Sequence, residues 1–294
     1  MSPSRPEPPK STDESRIAVC GIVRDCARNL RRNLERVESL RGSFRELRIV
    51  IAENDSKDGT KAVLRDLQRR DESAIVEIAD HGTVTLPRRL ASGVNPSFSH
   101  HRISKMAAYR NRYLELASTH IGFSRLDWVV MLDWDVEWFR PEGILRTLAK
   151  SAAWDVATAN GRCKTGWRGD IYYDCYAFRA LGAEGPCTET SIRSVPGTMP
   201  AMQPGGALIP VESAFNGLAV YRAAALEGVR YRSLPNDDPR VEAWCEHVTF
   251  HRDLARRGYD RVVIDPDLEV VYNTRADAVR MAAKRLARRL VPAR

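Results

Sequence analysis

The sequence predicts an α/β fold with a mostly parallel central sheet and helices on both faces. Three observations predict it. Apolar runs of strand length alternate with amphipathic stretches of helix length, the pattern that sets parallel strands side by side under crossover helices. At 294 residues, 43% hydrophobic and 29% charged, the chain can bury one large core, and no internal repeat divides it. No run approaches the roughly 18–20 apolar residues that a membrane-spanning helix needs.

Each element follows in order. The opening "MSPSRPEPPKSTDES" is rich in Pro, Ser and charge, so residues 1–15 are expected to be a disordered leader. "RIAVCGIV" is a buried strand, and "DCARNLRRNLERVESL" an amphipathic helix with Asp25 as its cap. "LRIVIAE" is a second strand, "NDSKDGT" a turn, "KAVLRDLQRR" a second helix and "AIVEIAD" a third strand. Residues 81–99 carry Pro and Gly without periodicity and form a long loop. Met106, Tyr109, Tyr113 and Leu116 mark a helix over 100–120, which leads to the strand "DWVVML".

Open sheets of this kind bind ligands beyond the carboxyl ends of their strands. Arg24 and Asp25 follow the first strand, Glu53, Asn54, Asp55 and Asp58 the second, and Asp133 and Asp135 the fourth. "CGIVRDCARN" lacks G-x-G-x-x-G, and no G-x-x-x-x-G-K is present, so a glycine-rich phosphate cradle is excluded. In an extended backbone Asp133 and Asp135 would share one face, with Trp134 packed on the other. Paired carboxylates suit a hard cation such as Mg²⁺ or Mn²⁺, which keeps water and phosphate oxygens as its other ligands.

The blocks "RIAVCGIVRD", "AENDSKDGT", "YRNRYLEL" and "MLDWDVEW" resemble, in order and spacing, the nucleotide-sugar-dependent glycosyltransferases of GT-A (Rossmann-like) fold. "YYDCYAFR", "VESAFNGLAVYR" and "CEHVTFHRDLARRGY" are similar to the fungal capsule-associated α-1,3-mannosyltransferase group and its bacterial relatives. The resemblance covers residues 16–273. It implies that Arg24, Glu53 and Asp55 contact base and ribose, that Arg110 and Asn111 face the diphosphate, and that Asp133 and Asp135 form the D-x-D, with Asp135 the direct metal ligand. It favours transfer of mannose with retention, from GDP-mannose or another nucleoside-diphosphate hexose such as a UDP-hexose, to a glycan, lipid-linked or small-molecule hydroxyl.

The later blocks supply further candidates. Asn216 and Gly217 sit between apolar residues, as a tight backbone passage at a pocket wall or a bent strand would. Glu246, His247 and His251 share one helix, and the two histidines share a face at i and i+4. One could complete a metal shell, with His251 the better fit to a plain helix residue. Asp174 could bind sugar hydroxyls or pin a loop. Residues 81–99 and 188–210 are expected to form acceptor-side walls.

The net charge of +8 sits mostly in the tail, where residues 275–294 hold seven basic side chains against Asp277. Val279, Ala283, Leu286 and Leu290 recur at helical spacing, so residues 274–294 are expected to form a basic amphipathic helix. Such a helix could rest on an anionic membrane surface or pack on the domain. No nucleic-acid-binding motif accompanies the charge, so nucleic acid is not an expected partner. The alternative readings are nucleotidyltransfer making a nucleotide-sugar, which also uses paired aspartates, and a basic nucleic-acid-binding protein. The six cysteines form no C-x-x-C pair and follow no signal peptide, so a cytoplasmic protein with reduced thiols is expected, at most peripheral to the membrane's inner face.

Overall fold

The structure, a computed structural model, describes residues 11–87, 93–165, 169–200, 202–274 and 279. The expected tail helix, beyond Thr274 and Val279, lies outside the described residues, as do residues 1–10 of the expected leader. Residues 11–15 are folded: Thr12–Glu14 form a 3-10 turn, and buried Ser15 donates its hydroxyl to the Ser11 carbonyl and accepts from the Arg45 amide.

The first half alternates as expected: β1 (Arg16–Val23), α1 (Ala27–Glu38), β2 (Glu46–Asn54), α2 (Thr60–Arg70), β3 (Ile75–Ala79), α3 (His100–His120) and β4 (Trp128–Leu132). Next come β5 (Trp138–Phe139), α4 (Pro141–Ala149), β6 (Val156–Lys164), β7 (Asp170–Tyr172), β8 (Arg179–Ala180) and α5 (Glu189–Thr198). The chain continues through β9 (Ile209–Ser213), β10 (Leu218–Arg222), β11 (Pro235–Asp238), β12 (Val241–Ala243), α6 (Glu246–Arg256) and β13 (Val262–Val271).

The main sheet runs β3-β2-β1-β4-β10-β6-β13-β9-β8, and β3, β2, β1 and β4 are parallel. β6 and β13 share that direction, while β10, inserted between β4 and β6, is antiparallel to both neighbours. β9 is antiparallel to β13, so the sheet is mixed in its second half. Alternate residues of β1 feed two cores. Ala18 and Cys20 pack with α3 and α6, and Ile17 and Val19 with α1, α2 and α4, which places helices on both faces.

Local details depart from expectation where side chains from elsewhere intervene. Asp25 does not cap α1; it adopts φ 48° and accepts from the Lys57 amide, while Asp58 accepts from the Ala27 amide at 3.0 Å. Residues 133–136 close a turn, with the Val136 amide on the Asp133 carbonyl, so the two aspartates do not lie on an extended strand. Trp134 is fully buried as expected. Residues 188–210 include α5, begun by a reciprocal Thr188–Ser191 cap.

The turn after β4 presses on β1 at Gly21. A Cβ there would stand 2.1 Å from the Leu132 carbonyl oxygen and 2.7 Å from the Trp134 ring nitrogen. Gly21→Ala is expected to lower unfolding free energy by about 3 kcal/mol, the upper range for core overpacking, because the obstacle is backbone. Urea denaturation showing a loss under 1 kcal/mol would mean that the turn yields easily.

Candidate active site

The strand ends converge on one pocket. β1 contributes Arg24, β2 Asn54, α3 Arg102, Met106, Tyr109 and Arg110, and the turn after β4 Asp133 and Asp135. Opposite stand Tyr173, Asp174 and Tyr176 after β7, Cys245, Glu246 and His247 at the start of α6, and Tyr272 after β13. The fold thus brings together eight polar residues singled out from the sequence as site candidates: Arg24, Asn54, Arg110, Asp133, Asp135, Asp174, Glu246 and His247.

Arg110 is the hub. Its buried guanidinium donates from Nη1 to Asp133 Oδ1 at 3.1 Å and from Nε to Glu246 Oε1 at 3.1 Å, and lies 4.8 Å from the centre of the Phe215 ring. Burial alone would lower its pKa, but Asp133, Tyr113 and Glu246 raise it well above the ordinary value. Burial in turn pushes Asp133 up, against the pull of Arg110. The expected diphosphate role of Arg110 is therefore met by a guanidinium already engaged with two carboxylates.

Asp135 is the more open of the pair. Its carboxylate accepts from the Tyr272 hydroxyl at 3.3 Å, and Tyr272 stacks on Tyr173 with ring centres 3.9 Å apart. Protein atoms crowding the cleft and the Asp133 charge push Asp135 up to about 6, although its surface faces the opening. Asp174 is likewise pushed up to about 6, by burial and by the charges of Asp133 and Glu246. Among the described residues no three His, Cys, Asp or Glu side chains stand as a ready metal cluster.

The two histidines divide. His251 is buried and satisfied, with Nδ1 paired to the Ser213 hydroxyl at 2.9 Å and Nε2 to the Tyr221 hydroxyl at 3.0 Å. It is a core residue. His247 is buried at the pocket wall, stacked on Phe215 at 3.9 Å, and neither ring nitrogen has a partner among the described residues. Burial, followed by the Arg110 charge, lowers its pKa well below the usual value, so it offers neutral ring nitrogens.

Other sequence-predicted residues stand behind the pocket. Glu53 is buried, with Oε1 accepting from the Ser56 amide at 2.7 Å and Oε2 without a partner among the described residues. Asp55, expected at the ribose, accepts instead from the amides of His81, Gly82 and Thr83 and from the Thr83 hydroxyl. Burial opposes its ionisation, but these donors hold it well below the usual carboxylate range. It shapes residues 81–85, where Thr83 also pairs with Tyr109 and Arg24 donates to Thr83 and Thr85. Asn111 turns away onto the Tyr231 backbone at 2.9 and 2.7 Å. Asn216 is fully buried, its amide nitrogen held by the Ala159 carbonyl and the Tyr172 hydroxyl at 2.7 Å each. Its neighbour Gly217, at φ 82°, accepts the Asp133 amide at 2.8 Å, so the pair frames the turn from behind.

A family model described as cryptococcal mannosyltransferase 1 matches residues 28–253, most of the chain. The chain belongs to that family. Among solved structures, mannosyltransferase PcManGT from Pyrobaculum calidifontis, in complex with GDP-Man and Mn²⁺, is similar at 14% identity and TM-score 0.50, over 91% of this chain and 60% of that one. This likeness shows the fold, the GT-A arrangement. TarS 1-349 from S. aureus matches at 12% identity and TM-score 0.47, over 87% and 59% of the two chains. Glucosyl-3-phosphoglycerate synthase from Mycobacterium tuberculosis matches at 14% and 0.43, over 95% and 81%. The chain thus spans about 60% of the length of PcManGT and of TarS 1-349. No curated protein matches the sequence.

Sequence reasoning missed Arg102, Tyr173, Tyr176 and Tyr272. Arg102 was within reach, since it stands four residues before Met106 and eight before Arg110 on the same helical stripe. Tyr272 carried no local signal.

His251 makes stability pH-dependent. Burial lowers its pKa to about 3, against about 6.5 in an unfolded chain. Between these values the unfolded state binds the proton and the folded state does not, so stability falls as pH drops below about 6.5. This residue should contribute a loss of about 2 kcal/mol between pH 7.5 and 5. Denaturant unfolding of the native protein and of His251→Gln at both pH values checks it; equal losses in the two proteins would contradict it.

Proposed function

We propose that this chain is a divalent-cation-dependent hexosyltransferase, carrying a hexose, mannose before others, from a nucleoside-diphosphate sugar to an acceptor hydroxyl. The observation that carries the reading is the convergence of Asp133, Asp135, Asp174, Glu246 and His247 on one pocket beyond the strand ends. Family membership and the GDP-Man bound to PcManGT favour GDP-mannose as donor, with a UDP-hexose second. The acceptor is a hydroxyl of a glycan, a lipid-linked sugar or a small molecule.

Asp133 and Asp135 both line the pocket, and paired carboxylates suit Mn²⁺ or Mg²⁺, which would take water and diphosphate oxygens as its remaining ligands. Such a cation supplies Lewis-acid neutralisation of the diphosphate leaving group. The chain's own residues set the stage for it. Arg110 fixes Asp133 and Glu246, Tyr272 orients Asp135, and Asp174 presents its carboxyl to the sugar hydroxyls. Retention, favoured by the family resemblance, leaves the acceptor proton to the departing phosphate rather than to a carboxylate base.

Asp135→Ala should lower donor turnover about a hundredfold or more, since metal stabilisation amounts to several kcal/mol, while leaving the melting temperature unchanged. Turnover of GDP-mannose and UDP-hexoses by mass spectrometry, with Mn²⁺ and with chelator, checks this. Full activity in the variant or in chelator would remove the metal from the reading.

No described helix is long and apolar enough to cross a membrane. The proposed setting is cytoplasmic, with the basic tail resting on the anionic inner face of the membrane, where each basic residue near the headgroups contributes about 1 kcal/mol. Removing residues 274–294 should abolish low-salt sedimentation with phosphatidylserine vesicles and spare donor turnover. Undiminished sedimentation of the truncated protein would take the tail out of that role.

A further inference from the structure

Among the described residues three arginines line the pocket, and the structure spends them differently. Arg110 is buried between Asp133 and Glu246. Arg24 gives Nη1 to the Thr83 carbonyl and the Thr85 hydroxyl, and its Nε stands 3.8 Å from Asp25. Among the described residues the Arg102 guanidinium donates only from Nη1, to the Ser97 carbonyl at 3.1 Å, and forms no ion pair. It is half-buried and lies near enough to Asp133 for its charge to favour that carboxylate.

The pocket needs such a charge. Asp133, Asp135, Asp174 and Glu246 all face it, and among the described residues Arg110 is the one guanidinium bonded to any of them. A divalent cation would still leave this floor short of positive charge for an arriving diphosphate, which carries at least two negative charges of its own. A guanidinium with uncommitted N–H groups is the side chain suited to phosphate oxygens, because its planar fork can donate two parallel bonds.

We propose that Arg102 receives the phosphate charge of the bound donor, in the place that the sequence motifs give to Arg110. The inference rests on the nucleotide-sugar reading above and assigns its phosphate side to the amino-terminal turn of α3. Arg110 then acts as the fixed counter-ion of the carboxylates, and Arg102 as the counter-ion of the ligand.

Calorimetry with GDP and with UDP, each with and without Mn²⁺, tests this on the full chain. Arg102→Met should weaken whichever diphosphate the native protein binds by roughly ten- to a hundredfold, the range of one charge-assisted hydrogen-bonded contact. Arg102→Lys keeps the charge without the fork and should fall between native and Met. Both variants should melt at the native temperature without ligand, since Arg102 bonds a single carbonyl. A Met variant that binds within twofold of native overturns the inference while leaving the donor reading standing. Equal loss in both variants with a lowered melting temperature also overturns it, by making Arg102 structural. A native protein that binds neither diphosphate overturns the donor reading, and this inference with it.

Discussion

The buried guanidinium of Arg110 is the interaction on which the site depends. It draws together Asp133 after β4 and Glu246 at the start of α6, residues 23 and 136 positions away in the chain. Two carboxylates in a closed cleft would each bear a large desolvation cost, and the shared cation offsets it only while all three stay in contact. The aromatic rings of Phe215 and Tyr231 stand beside the guanidinium and fill space that water would otherwise occupy. The two carboxylates are thus already neutralised in part by Arg110.

Around that hub the backbone is held in uncommon conformations. Asp25, Asp55, Asp174 and Asn216 all have positive φ, between 47° and 60°, and Asp174 lines the pocket while the others stand around it. A left-handed residue other than glycine costs free energy, and each of these four is fixed by side-chain bonds. Asp55 gathers the amides of residues 81–83, and Asp174 accepts from the Asn216 amide at 3.3 Å. Acidic and amide side chains at the strand ends thus shape loops as well as facing the cleft. Their chemistry in the sequence is the same in both uses.

Antiparallel β10 completes the frame. By pairing with β4 it sets Leu218 against Leu132 and carries the Gly217 carbonyl to the Asp133 amide. The position of the aspartate turn is therefore fixed from both neighbouring strands, by β10 on one side and by the glycine gap of β1 on the other.

The sequence by itself determined the alternation of strands and helices through β4, the burial of Trp134, the strand-end location of the site and its acidic pair. These follow from periodicity and local composition, which act over a few residues. The family motifs in it also pointed to Arg24, Arg110, Asp174, Glu246 and His247, all of which reach the pocket. What only the tertiary structure decided is the use each polar group is put to. Asp55 and Asp58 serve backbone amides, Asn111 holds the loop at Tyr231, and His251 is paired inside the core, through partners between 26 and 120 residues away that no local pattern names. The antiparallel insertion of β10 and the arrival of Tyr272 beside Asp135 are of the same kind: a hydrogen bond satisfied across the fold is a property of three-dimensional proximity, and the chain's order does not encode it locally.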